Sequence, residues 1–312
     1  MIYAQIAMSL SQSAEITPDP FSKVLAALGA RSVRGTGLEA AGDWALAFDG
    51  RARLKFVAVT CGRCWLLLPD HPPEVLEEGD VVLISNTRYV VASNPAVEPI
   101  DGMPLYAPPG HDLVRLGAGD ETAIMGGGSG FADGSAAFVL DALPRFLRVD
   151  RTSSTAEAVA RTLKSLRAEV SSADVGGVLV AERLAEILVI EAVRAFVATS
   201  SKNSVGWITA LADPRIGKAL KLLHGDVARR WTVPMLASEV GMSRSAFTQH
   251  FTDRVGRPPL DYLTRWRMVL AQRKLNEGQT VAEAATAVGY NSQSAFSHAF
   301  KRTFGRTPRS AG

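Results

Sequence analysis

The sequence predicts an α+β protein: an N-terminal β-barrel with a helical linker, followed by an all-α domain. Three observations carry this. Short apolar runs broken by turn residues fill residues 44–131, and helical spacing replaces them from residue 155. One short pattern, a glycine, a polar turn and two phenylalanines four apart, is then written twice, as GMSRSAFTQHF (241–251) and GYNSQSAFSHAF (289–300). At 312 residues and 47% apolar content the chain can bury two cores.

The elements follow in order. No Lys or Arg precedes Lys23 and no long apolar stretch opens the chain, so neither a secretory signal nor an anchor is expected. No later run reaches the roughly eighteen apolar residues of a spanning helix, and a cytoplasmic location with no membrane partner is expected. WALAF, LKFVAV, CWLLL, VVLI and YVVA, separated by Gly, Pro, Asp and Asn, read as strands of a sandwich or barrel. Residues 155–170 and 175–198 read as helices, the second with a broad apolar face that includes Val178, Leu179, Leu184, Ile187, Leu188 and Phe196. That face suits a homodimer seam, or packing on its own barrel. TSSKNS (199–204) is polar and aperiodic and marks the hinge.

The helical domain opens on Asp213 and Pro214, an N-cap followed by proline at the first helical position, with Ile216, Leu220 and Leu223 on one face. A second helix begins near Thr232 and a third after Ser243, ended by Gly256, Pro258 and Pro259. Residues 261–276 form one long helix of roughly 24 Å. Thr280 and Glu283 are spaced as a capping box, and Ser292 caps a last helix before Gly305 and Pro308.

Charge divides the chain in the same place. Residues 213–312 hold 16 Lys or Arg against 7 Asp or Glu, leaving 18 against 24 in the remainder. A basic end on an acidic front suits a polyanion-binding module. The repeat says more. Gly241 aligns with Gly289, Phe247 with Phe296, Phe251 with Phe300, Gly256 with Gly305 and Pro259 with Pro308. The glycine turns the backbone between two short helices, and the phenylalanines pin the second of them to a core. The opposite face is small and polar: Arg244, Ser245, Thr248 and Gln249 in one copy, Gln293, Ser294, Ser297 and His298 in the other. That is the composition of a recognition helix in a helix-turn-helix unit, with donors and acceptors suited to base edges in a major groove.

Two such units in register, with YLTRWRM (262–268) and VGYNSQSAFSHAFKRTFGRTP (288–308), make residues 206–312 resemble the DNA-binding domain of the AraC/XylS family of transcription regulators. The resemblance implies double-stranded DNA as partner, with the eight polar residues named above facing bases. It also implies activation through contact with RNA polymerase. A rigid central helix would hold the recognition helices about 34 Å apart, one duplex turn. Arg257, Arg265, Lys301, Arg302 and Arg306 are candidates for phosphate contacts, whereas His250, beside Phe251, reads as packing.

The front, from DPFSKVLAALGARSVRGTG through GRCWLLL and EEGDVVLIS to ALPRFLRVD, resembles the cupin-type sensor domain that precedes this DNA-binding domain in one branch of the family. The expected division is a cupin-like sensor domain over 1–198 with two C-terminal helices, a linker over 199–205, and the DNA-binding domain over 206–312. Catalytic cupins hold a metal with His and Glu ligands. Here LKFVAVT offers no histidine, Tyr89 stands near where the second motif would have one, and His71 and His111 sit beside prolines and read as loop residues. No catalytic residue, metal or cofactor is expected. A metal-dependent cupin enzyme with an accessory DNA-binding module is the alternative reading. The effector would be a small molecule in an apolar pocket bordered by Trp44 or Trp65, or an oxidant acting on Cys61 and Cys64. The CGRC stretch lies between two apolar runs, so a hairpin turn is expected there, close enough for a disulfide.

Overall fold

A computed structural model describes residues 19–28, 31–107, 112–130, 136–151, 155–172, 174–200 and 204–308. His111 lies outside them. The chain opens with α1 (Pro20–Ala27), capped by Asp19, whose carboxylate accepts from the Phe21 and Ser22 N–H groups. Nine strands follow: β1 (Arg31–Ala40), β2 (Ala45–Cys61), β3 (Arg63–Leu67), β4 (Glu74–Glu77), β5 (Val81–Ala92), β6 (Ile100–Asp101), β7 (Leu113–Leu116), β8 (Thr122–Gly130) and β9 (Phe146–Arg148). Their order is β4-β3-β5-β2-β8-β1-β7, with β6 beside β2 and β9 against β5. The sheet wraps around one apolar cluster to which β1, β2, β3, β4, β5, β7 and β8 all contribute, but β4 and β7 remain as edges. The barrel of the sequence reading is therefore open.

A kink in the two longest strands decides which side chains point inward. In β2, Arg51, Ala52 and Arg53 face Asn86 alone between the pairs Gly50–Thr87 and Leu54–Ser85. Ala52 and Asn86 both take left-handed backbone (φ 55° and 50°), and Asn86 Oδ1 accepts from the Ala52 N–H at 2.9 Å. Strand side chains alternate with period 2, and the kink resets the alternation. Before it Leu46 points inward; after it Val57 and Val59 do, while Leu54, Phe56 and Ala58 turn to the outer face.

That outer face meets helices. Leu54, Phe56, Ala58, Leu83 and Met125 share a buried core with α3 (Ala156–Ser171) and α4 (Gly177–Thr199), and the same core runs on through α2 (Ala137–Leu140) into the helical domain. There α5 (Trp207–Ala210), α6 (Pro214–Gly225), α7 (Val233–Glu239), α8 (Arg244–Val255) and the long α9 (Pro259–Asn276) supply Trp207, Leu220, Leu236, Phe247, Phe251, Tyr262 and Trp266 to it. Phe138 of α2 is the link: its ring lies 5.6 Å from Trp207, 5.5 Å from Tyr262 and 5.6 Å from Trp266. Beside it His224 stacks on Trp266 at 4.5 Å, and burial pushes its imidazole down to about 3, so it stays neutral. Two backbone carbonyls tie α1 and α6 to the other half as well: Lys23 donates to His224 O and Arg273 to Ala26 O, both at 3.1 Å.

The remaining helices, α10 (Val281–Ala287) and α11 (Gln293–Phe304), build a separate core with the far end of α9: Met268, Ala271, Leu275, Ala284, Val288, Phe296 and Phe300. Along α4 the buried side is Ala185, Leu188, Val189, Ala192 and Val193, and Val178, Leu179, Val180 and Ile187 are exposed. Among the described residues no helix is long and apolar enough to cross a membrane.

Candidate nucleic-acid interface

Local chemistry sets both helix pairs. Asp213 caps α6, accepting from the Arg215 and Ile216 N–H groups at 3.0 and 2.9 Å. Ser243 and Ser292 cap α8 and α11 through the Ala246 and Ala295 N–H groups, each at 3.3 Å. Thr280 and Glu283 form the reciprocal capping box of α10. Gly256 and Gly305 end α8 and α11 in left-handed backbone (φ 79° and 72°), where a β-carbon is disfavoured. Gly289, at the second turn, allows a close approach, since a β-carbon there would lie 2.4 Å from Ala228 O. α9 starts two residues earlier than the spacing suggests because Pro259 fits the first helical position, where its missing N–H costs nothing.

The paired phenylalanines are fully buried. Phe247 and Phe251 meet edge-on at 5.6 Å, and Phe296 and Phe300 lie 5.7 Å apart. Opposite them Arg244, Ser245 and Gln249 of α8, and Gln293, Ser294 and His298 of α11, are exposed. Thr248 and Ser297 are half-buried, and the Thr248 hydroxyl donates to Arg244 O at 2.9 Å. Gln249 donates to Asp253 Oδ1 at 2.7 Å, leaving its carbonyl oxygen open to a base donor.

The five candidate phosphate ligands divide. Lys301 and Arg302 stand exposed in the last turn of α11. Arg257 instead pairs with Asp261 at 3.5 Å, and Arg265 reaches Asp141 of the front half at 3.9 Å; both line a small cavity against Phe138. Arg306 donates to Gln272 Oε1 at 3.3 Å. Sequence spacing read α9 as a rigid central helix and said nothing of its neighbours; in the structure α2 packs against the side that carries Arg265. His250 pairs with Asp213 at 2.9 Å, in keeping with a packing role.

Several cavities adjoin the front half, one of about 570 Å³ at Leu67, Arg88 and Asp101 among them. A cleft of about 1190 Å³ runs between α1 and α4 on one side and α5, Asp213, His250 and Arg254 on the other. A second, of about 240 Å³, lies within the wrapped sheet, walled by Phe48, Tyr89 and Tyr106 and edged by Arg53 and Lys55. Neither Trp44 nor Trp65 is among the residues lining either one: Trp44 is packed in the sheet core and Trp65 is half-buried on β3. Sequence reading missed Arg53 and Lys55, because Leu54, Phe56 and Ala58 are as apolar as Val57 and Val59 and alternation alone does not say which set faces inward. Cys61 and Cys64 flank the expected tight turn at Gly62 (φ 68°), but both thiols are free. Cys64 is fully buried, and burial pushes its thiol up to about 12, which suppresses the thiolate a redox trigger needs. Among the described residues no cluster of three His, Cys, Asp or Glu side chains could hold a metal.

Residues 19–198 match the cupin family, and residues 236–311 the helix-turn-helix domain family. A Streptomyces lividans protein named as an AraC-like transcription regulator is 39% identical over 294 residues, spanning 93% of this chain and 96% of its own length. The chain belongs to the AraC-like transcription regulators. The HTH-type transcriptional regulator AlkR of Acinetobacter baylyi is 30% identical over 277 residues, covering 86% of this chain and 90% of that protein. A crystal structure of ToxT from Vibrio cholerae aligns over 89% of this chain and 95% of its own, at 12% identity and a TM-score of 0.36. As an AraC-like regulator the protein binds DNA through its helix-turn-helix domain and is not an enzyme.

Proposed function

We propose that this AraC-like regulator reads one specific duplex site by laying α8 and α11 in successive major-groove segments, and that its front domain adjusts that binding to a small-molecule effector. The observation that carries the reading is the matched pair of serine-capped helices. Each buries two phenylalanines and turns a small polar face to solvent, and α9 joins them over roughly 27 Å at the usual helical rise. Arg244, Ser245, Thr248 and Gln249 would face one set of bases and Gln293, Ser294, Ser297 and His298 the next, with Lys301 and Arg302 on phosphates.

The sensing role is supported by the partly open, apolar-walled cavity in the sheet and by the core that runs from the sheet into the first helix pair. An oxidant acting on Cys61 and Cys64 is the weaker reading, given the buried Cys64 thiol. The family supports activation through RNA polymerase in the cytoplasm, and the exposed apolar side of α4 supports a homodimer. The deciding experiment is a footprint of the purified protein on the DNA upstream of its own gene. Two protected segments one duplex turn apart on one face are expected; a single short segment would refute the paired reading.

A further inference from the structure

We infer that the cavity inside the sheet is an anion site, which holds a small planar carboxylate with its charge on Arg53 and Lys55 and its ring among Phe48, Tyr89 and Tyr106. This rests on reading the front domain as an effector sensor. The first argument is one of pattern. Beyond the kink, positions 53, 55, 57 and 59 of β2 share the inward face, and the apolar Val57 and Val59 fill the last two. The first two carry cations. An inward cation loses hydration and is costly unless a partner returns the lost interaction.

No partner is present among the described residues, for neither the Arg53 nor the Lys55 side chain makes a hydrogen bond or ion pair there. The one carboxylate lining the cavity, Asp49, is already engaged: Arg51 binds it through Nε at 2.8 Å and Nη2 at 2.5 Å, and through its backbone N–H at 3.1 Å. The Tyr89 hydroxyl also makes no hydrogen bond, while Tyr106 donates to Gly37 O at 3.2 Å. Two free cations and a free hydroxyl donor with no free carboxylate describe an anion-binding set. Burial, with Arg53 adding like charge, pushes the Lys55 ammonium down to about 8, as an ion lacking its counter-charge should behave.

The walls select the rest of the ligand. Phe48 and Tyr89 stack at 5.2 Å with planes 25° apart, and Leu38, Val57, Val91 and Ile124 complete an apolar floor. Gly126 lines the side facing Thr36, where a β-carbon would sit 3.3 Å from Oγ1. Bare backbone there keeps a slot open. A volume of about 240 Å³ is below the roughly 300–1,000 Å³ of drug-sized sites, which favours a single ring over a nucleotide or a long chain. A free inorganic anion would leave the aromatic walls unused.

The test is calorimetry on the full chain with benzoate, phenylacetate and cinnamate, each against its neutral amide. At least one carboxylate should bind, roughly tenfold or more tightly than its amide, as a charge-assisted pair implies. Lys55→Met and Arg53→Gln should each remove most of that preference at an unchanged thermal midpoint, and Lys55→Arg should retain it. Equal binding of acid and amide, no binding by any of the three acids, or full carboxylate affinity in Lys55→Met would overturn the inference. DNA affinity measured in the same samples separates it from the sensing role. Carboxylate binding that leaves DNA affinity unchanged would uphold the anion site and remove the sensing role. An amide that shifts DNA affinity where its acid does not would do the reverse.

Discussion

Phe138→Ala tests whether the two halves share one core. The Phe138 ring is 8% exposed and fills the space between Trp207, Tyr262 and Trp266, so its removal leaves a void where the sheet domain meets α9. Buried Phe→Ala changes cost about 3–5 kcal/mol, a range that already includes the ring–ring contacts. At roughly 2–4 °C per kcal/mol for proteins of this size class, the melting midpoint should fall by about 6–20 °C. Trp207, Trp231 and Trp266 lie in the helical half and Trp44 and Trp65 in the sheet half, so with Trp44 and Trp65 replaced by Phe in both proteins compared, tryptophan fluorescence follows the helical half while circular dichroism follows the whole. The wild type should unfold in one transition by both probes, and in Phe138→Ala the fluorescence transition should separate from the other. A loss below about 1 kcal/mol with both probes still coincident would refute the shared core.

Gln249→Ala and His298→Ala should relax base preference at positions about 10 base pairs apart in a binding-site selection, and a change at the same base pair in both would sink the two-groove reading. Lys301→Ala should weaken all duplexes alike and flatten the salt dependence of binding. Asp80 is 1% exposed and pairs with Arg148 and Arg151 at 2.5 and 2.7 Å. Burial alone would raise its carboxyl, but the bonds from Arg151, the Glu77 N–H and Arg148 outweigh burial and hold it below the usual range. Its contribution is therefore complete above the ordinary carboxylate range and lost as pH falls through the lowered value. Asp80→Asn should cost about 1–3 kcal/mol near neutral pH, since both arginines are partly solvated, and should flatten acid unfolding curves. With Lys55 at about 8, Asp49 held below the usual carboxylate range and burial raising Tyr89 and Tyr106, carboxylate affinity should be flat just below about pH 7 and fall by up to about tenfold per unit above 8. An affinity unchanged to pH 9.5 would place the ligand charge away from Lys55. If α4 is a dimer seam, Leu179→Glu should convert the full chain from dimer to monomer in sedimentation at micromolar concentration; a wild-type monomer would remove the seam.

The helical domain was legible in the sequence because its signals are local. Asp213-Pro214, Thr280 with Glu283, Ser243, Ser292 and the two terminal glycines each fix a helix end within three or four residues of chain, and each makes its expected bond or turn. The candidate cavity was not legible in that way. Which side chains of β2 face inward depends on a kink made jointly by Ala52 and Asn86, 34 positions apart, and on the alternation it resets. The surroundings of Arg257 and Arg265 were hidden for a related reason: basic composition shows that the stretch is charged, but not that Asp261 and Asp141 pair with those side chains or that Phe138 lies close by.

The unequal ownership of the two helix pairs bears on how such a regulator could be rewired. A transplant cut at the polar stretch near residue 200 would hand Trp207, Leu220, Tyr262 and Trp266 to a foreign sheet that lacks Phe138. The surfaces would mismatch even though both pieces came from folded proteins. The independent graft lies further along the chain. Within α9, Trp266 and Val269 belong to the first core, while Ala271 and Leu275 belong to the second. A splice near residue 270 would carry α10 and α11 with most of their own packing and exchange the second helix pair, provided that Met268, Arg273 on Ala26 O and Gly289 against Ala228 O are kept.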